Sequence, residues 1–475
     1  MMSETQRRTT LIWSVEAGAL DQSLTTMLKE QGADALRIVP EKGLAKKAAE
    51  FIQQLQQKKD KFFRRLPVLV DIDSYPRGII SGLKSAKTLK FGDNVSFSQV
   101  GGGGDFEVAT DEWSTLFASD HSVYVGYGNV VLKPVKVADK KVQLQVVQGG
   151  DIRPEAEIHV PFTRQTVTLE SISSEALELA AHPGVDCVIL PSIDDPEELE
   201  KVAKKLSTEE NCPWLILKVG TLKVYENIER LLPFVRGVLV SRIELAMEMD
   251  PAQIPMVTKQ VIQVCNAHAK LSLVSSEMLG SMRFNATPTR AEVSDIANAV
   301  FDGADGVVLS EALAHGRYLQ RGAMLATRTI EDAEDTAEQY PLNWTKDLPP
   351  VRNEIEAVTY AAYRSAHRNR AKAIVCITKI GNTALHLASF GAKIPVIALS
   401  TSEHVVRRLR LVKGVEGVYL DELPNIDSVL PLIDNLLGSF SWFEDGDKYV
   451  FVSVSLSSVG KEGSNLFTIQ TLGAS

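Results

Sequence analysis

One repeated pattern constrains this chain more than any other: short apolar, β-branched runs alternate with stretches of mixed charge that carry 3.6-residue periodicity. The runs are TLIWSV from Thr10, ALRIVP from Ala35, PVLVDI from Pro67, DCVILP from Asp186, WLILKV from Trp214, GVLVSR from Gly237, LSLVSS from Leu271 and GVVLSE from Gly306. Strands joined through helical crossovers run parallel. Eight such units in succession predict a (β/α)8 TIM barrel, with its chemistry at the C-terminal ends of the strands. Between the third and fourth runs the texture changes to short alternating segments, NVSFSQV, HSVYVGYG, VVLKPVKV and KVQLQVV, punctuated by GGGG and QGGD. That interval reads as an inserted all-β domain. Beyond a Pro-containing connector, AIVCIT and PVIALS alternate with helical stretches and KYVFVSVS follows, the pattern of a doubly wound α/β domain. The fold class expected is α/β: a (β/α)8 TIM barrel of residues 1–71 and 161–345, an inserted β-barrel domain of 72–160 and a C-terminal α/β domain of 346–475.

Composition narrows the partners. The 475 residues carry a net charge of −9, which offers no basic field to a nucleic acid backbone. No apolar run approaches the roughly 20 residues of a membrane span, and the first residues lack a signal-peptide core. A cytoplasmic location is expected. Cys187, Cys212, Cys265 and Cys376 show no CxxC spacing and read as inert thiols. The histidines show no metal-ligand spacing and are assigned no chemistry.

Residues that finish the barrel strands are the candidates for a site. They are Arg37, Asp71, Ser192 or Asp194, Lys218, Arg242 with Glu244, Ser276 and Ser310. Read as a continuation of the sixth strand, RGVLVSRIELAMEM places Arg242 and Glu244 on one face, two residues apart. Two arginines and a lysine at one mouth suit a small phosphorylated or carboxylated ligand.

A more specific signal is PTRAEVSDIANAVFDGAD, from Pro288 to Asp305, with CNAHAK and SSEMLGSM before it and VVLSEALAHGRY after it. It resembles the pyruvate kinase family, and the similarity extends in the family's order along essentially the whole chain. The resemblance implies phosphoryl transfer between phosphoenolpyruvate and ADP, a divalent metal, potassium, and a lysine beside the migrating phosphoryl. Lys218 falls on that lysine. Arg37, Lys218, Arg242 and Ser310 fall on substrate-binding positions, and Ser276 replaces the family's Thr near the enol carbon. Arg37, Lys218 and Ser276 are thus the catalytic candidates.

Departures concentrate on the metals. Gly220 stands where the family has a metal-binding Glu, and glycine offers a hard cation no side-chain oxygen. Glu244 replaces the second metal-binding Asp, leaving Glu244 and Asp71 as a degenerate pair for Mg or Mn. Ile243 replaces a glycine where backbone approaches substrate, and a backbone angle that only Gly accepts is at risk there. Val39 and Glu41 stand in place of the potassium-binding Asn and Ser, and Ile72 in place of a Thr, so bound K is not expected; Lys42 or Arg77 are candidates to replace its charge. Glu277 adds negative charge near the substrate position, Ser310 is followed by Glu311 and Ala312 where the family has Gly-Glu, and Gly126 to Gly128 replace Asp-Asp-Gly. In the C-terminal domain, TKIGNTA and GKEGSN resemble the family's effector loops, which points to Thr378, Gly381, Thr383, Gly460, Gly463 and Ser464 as a phosphate cradle.

The reading that follows is a pyruvate-kinase-like protein with little or no phosphoryl transfer from phosphoenolpyruvate to ADP. It is expected to be a regulatory or scaffolding pseudoenzyme that still binds a small anion such as phosphoenolpyruvate or a sugar phosphate. The alternatives are an active pyruvate kinase with a rearranged metal site, or other 2-oxo acid or enolate chemistry on the same barrel. A homotetramer or homodimer, and pairing with an active paralogue, are the expected assemblies.

Overall fold

The computed structural model describes residues 7–41, 43–58, 66–72, 78–110, 113–117, 121–126, 130–154, 156–160, 167–207, 212–314, 316–339, 353–391, 393–422, 426–454 and 466–473. All eight apolar runs are strands: Thr10–Glu16, Ala35–Val39, Val68–Asp71, Cys187–Leu190, Trp214–Val219, Gly237–Ser241, Leu271–Ser275 and Gly306–Val308. Each pairs in parallel with its neighbours, and the first closes on the eighth with Thr10 opposite Gly306. Covered by helices outside and by side chains inside, these strands have no solvated face, which is why they read as continuous apolar runs.

A second closed barrel, antiparallel but for one pair, follows the third strand. Its strands are Gly78–Ser81, Asn94–Gln99, Phe106–Ala109, Val123–Val125, Val130–Ala138, Lys141–Gln148 and Glu157–His159. Lys141–Gln148 alternates exposed and buried residues, the period-2 signature visible in its sequence. Phe97 anchors the interior edge-on against Phe106 and Phe117.

In the C-terminal domain a five-stranded sheet runs in the order Val415–Tyr419, Val396–Ser400, Ala373–Ile377, Lys448–Ser453, Leu466–Thr471, with only the last strand antiparallel. It docks on the N-terminal end of the barrel, remote from the strand ends that carry the candidate site. Interior residues from that end, among them Leu69, Cys187, Ile216 and Leu239, form one apolar cluster with Ala362, Ile374, Leu409 and Val450. Polar ties frame it: Arg407 Nε donates to Asp186 Oδ1 at 2.9 Å, and Lys413 N–H donates to Asp305 Oδ1 at 3.0 Å.

The sixth strand differs from expectation. It stops at Ser241, and Arg242–Ala246 forms a short helix that begins at once. Residues two apart on a helix point about 200° apart around the axis, so Arg242 and Glu244 serve different neighbours. Ile243 sits within this turn and is not among the residues with positive φ, so its β-branched side chain meets no forbidden backbone angle.

Lys270, just before the seventh strand, supplies a pH test. Burial pulls its amine down to about 8 from 10.5, with Arg236 adding repulsion and Cys265 opposing it. The unfolded chain therefore holds more protons between these values, and stability rises with pH across that window. In chloride buffer the stability difference between wild type and Lys270→Gln should move in favour of wild type from about pH 8 to pH 10. A pH-independent difference in chemical denaturation would contradict the assignment.

Candidate active site at the barrel mouth

The mouth is built from charges that strand ends deliver to one place. Arg37 is buried on the second strand and donates from Nε to Asp71 Oδ2 at 2.9 Å and from Nη1 to Ser14 Oγ at 2.8 Å. A second bond from its Nη2 also reaches Asp71. Glu311, just past the eighth strand, approaches Arg37 Nη1 at 3.4 Å. Lys218, 3% exposed on the fifth strand, places Nζ 3.2 Å from Asp71 Oδ1 and 3.5 Å from Glu244 Oε1. The ammonium therefore lies between two carboxylates.

Gly220 explains how Glu244 gets there. A Cβ built on Gly220 would sit 2.3 Å from Glu244 Oε2 and 2.9 Å from Glu244 Cβ. The Glu244 side chain occupies the root of the side chain that glycine lacks. Gly220 N–H donates to Ser192 Oγ at 3.2 Å, fixing the strand end beneath it. Residues 220 and 244 are thus complementary in shape: glycine leaves the space that the Glu244 side chain fills.

Arg242 turns the other way. Its guanidinium donates to the carbonyls of Ser275 at 3.2 Å and Ser276 at 2.6 Å, and pairs with Asp295 at 2.8 Å. The loop it holds is strained, with Ser276, Glu277 and Leu279 at φ of 83°, 56° and 61°. Such residues cost free energy unless neighbours enforce them, and they gather at functional sites. Ser310 N–H donates to Met278 O at 3.1 Å, bracing the same loop from the eighth strand. Across the mouth, Arg153 of the inserted domain stacks on Phe284 at 5.6 Å.

The remaining candidates are dispersed. Asp194 faces Lys223 at 3.8 Å, and Glu41 accepts from Gly18 N–H. Thr378 and Thr383 are buried, and Thr378 Oγ1 accepts from Gly381 N–H at 2.9 Å. Gly381 has a φ of 96° and abuts Trp214, whose Cζ2 would lie 2.7 Å from an added Cβ, so the loop is spent partly on domain packing. Gly460, Gly463, Ser464, Lys42, Arg77 and the end of the Gly126 segment lie outside the described residues. Sequence reasoning missed Asp295 and Ser14 as partners, since neither has a local signal linking it to its arginine.

Among the described residues, the strand-end cations of this mouth are ion-paired. Arg37, Lys218 and Arg242 are matched by Asp71, Glu244, Glu311 and Asp295. A hard divalent cation needs oxygen donors converging on it. The oxygens of Asp71 and Glu244 converge on an ammonium instead, and among the described residues no group of three or more His, Cys, Asp or Glu is disposed to hold a metal. As arranged, the donor set does not fit a divalent ion.

An eight-stranded barrel with a β-domain inserted after its third strand, a C-terminal α/β domain and a lysine at the fifth strand's end defines a class of protein. Residues 6–322 match the pyruvate kinase barrel domain and residues 356–469 the pyruvate kinase alpha/beta domain. The chain is 26% identical to the pyruvate kinase of Thermococcus litoralis over 439 residues, covering 90% of this chain and 92% of the relative. It is 30% identical to the pyruvate kinase of Mycobacterium tuberculosis over 332 residues, 70% of each. The fold matches that of Cryptosporidium parvum pyruvate kinase in complex with ADP at a TM-score of 0.83, with 22% identity over 99% of this chain and 97% of that one. The chain belongs to the pyruvate kinase family.

Two tests follow from the geometry. Gly220→Ala should cost about 1–3 kcal/mol in wild type by displacing Glu244, and much less in a Glu244→Ala background, a coupling of about 1 kcal/mol or more. Additive denaturation midpoints would refute the packing relation. Asp295→Asn should lower amide-exchange protection across residues 276–280 by about tenfold, as the clamp on the strained loop weakens; unchanged exchange would show that Arg242 holds the loop unaided.

Proposed function

We propose that this pyruvate kinase family member has little or no phosphoryl transfer from phosphoenolpyruvate to ADP and acts in a regulatory or scaffolding role. The observation that carries this is Lys218 held between Asp71 and Glu244 above a glycine that lacks the metal-binding carboxylate. Phosphoryl transfer depends on positive charge placed where negative charge develops, from metal ions and a free lysine. Here the lysine is already neutralised, and the carboxylates that would hold the metal neutralise it. An anion such as phosphoenolpyruvate reaches Arg37 and Lys218 only by displacing a carboxylate, so capture at the mouth is weak.

A second reading is favoured by one feature: oxygens of Asp71 and Glu244 both lie within 3.5 Å of a single ammonium. If substrate draws Lys218 away, the two carboxylates face a common space, and an active pyruvate kinase with a rearranged, potassium-independent metal site results.

Pyruvate formation from phosphoenolpyruvate and ADP, with Mg or Mn and with or without K, separates the two. Turnover below about 0.01 s⁻¹, far under the ~10 s⁻¹ of ordinary enzymes, is expected. Faster turnover that disappears in Lys218→Ala would establish the second reading.

A further inference from the structure

At the opposite end of the barrel lies a second set of cations with a different balance. Arg236 precedes the sixth strand and Lys270 the seventh, and Leu271 N–H donates to Arg236 O at 3.0 Å, so the two side chains leave neighbouring strands. Adjacent strands lie about 4.8 Å apart. Arg236 reaches the C-terminal domain and donates from Nη1 to Asn382 Oδ1. Lys270 Nζ donates to Val235 O at 2.7 Å. Both side chains are partly buried, and among the described residues neither meets a carboxylate.

Three other cations of the same seam pair with carboxylates. Arg407 has Asp186 at 2.9 Å, Arg410 has Asp34 at 3.7 Å and Arg8 has Glu334 at 3.8 Å. Among the described residues, Arg236 and Lys270 bond neutral oxygens only, and a guanidinium carries five donors and an ammonium three. Burial lowers both groups; Arg408 adds repulsion at Arg236 with Cys212 opposing, and Arg236 adds repulsion at Lys270. Partly buried like charges on neighbouring strands are costly without a counter-charge.

We propose that the seam between the barrel base and the C-terminal domain binds a phosphate-class oxyanion, held by Arg236 and Lys270 beside Asn382. The ligand would supply the negative charge that the protein withholds there, and would bridge the two domains through one set of donors. Nothing in this depends on the barrel mouth, where the carboxylates already neutralise the cations.

The test is the melting temperature of the full chain against inorganic phosphate, with chloride at matched ionic strength as reference. Wild type should show a saturable rise, retained in Lys218→Ala. In Lys270→Gln and Arg236→Gln the midpoint should weaken about tenfold or more, as expected for losing a charged hydrogen bond. Lys270 bonds only a backbone carbonyl in the described structure, so Lys270→Gln carries the test if Arg236→Gln does not fold. No saturable rise in wild type would overturn the proposal. So would a rise that vanishes in Lys218→Ala and persists in both seam variants, because the anion would then lie at the mouth.

Discussion

Closure of the parallel sheet is the constraint on which everything else rests. Thr10 opposite Gly306 joins the first strand to the last, and once the ring is closed every strand end is fixed relative to seven others. Arg37, Asp71 and Lys218 come from three strands and meet within hydrogen-bonding distance only because of that closure. The same closure fixes the other end, where Arg236 and Lys270 emerge side by side. One scaffold therefore presents two charge clusters: among the described residues the strand-end cations at the mouth pair with carboxylates, whereas Arg236 and Lys270 at the base bond neutral oxygens.

At the mouth, one pair of residues settles both packing and charge. Gly220 leaves room beside the backbone, and the Glu244 side chain occupies it. The space is filled, and oxygens of Asp71 and Glu244 both approach the Lys218 ammonium. Lys218 follows the carboxylates, since a buried ammonium must be paired.

Much of this was legible in the sequence. Strands with two buried faces announce themselves as apolar runs, so all eight barrel strands were found, and the alternation of KVQLQVV revealed the inserted barrel. The identity of the strand-end residues was equally plain. What could not be read was direction. Arg242 and Glu244 looked like strand neighbours because the run stays apolar through Leu245, yet the chain turns helical at Arg242 and sends them to Ser276 and Lys218 respectively. A list of cations likewise suggested an anion site, whereas charge balance depends on partners such as Asp295 and Glu311 that only the fold brings near.

The apolar cluster shared by the barrel's lower interior and the C-terminal sheet has a consequence for how the molecule comes apart. Cys187, Ile216 and Leu239 are as much the floor of one domain as the roof of the other. Detaching the C-terminal domain would expose that floor to water, which ties the stability of the barrel to that of the sheet.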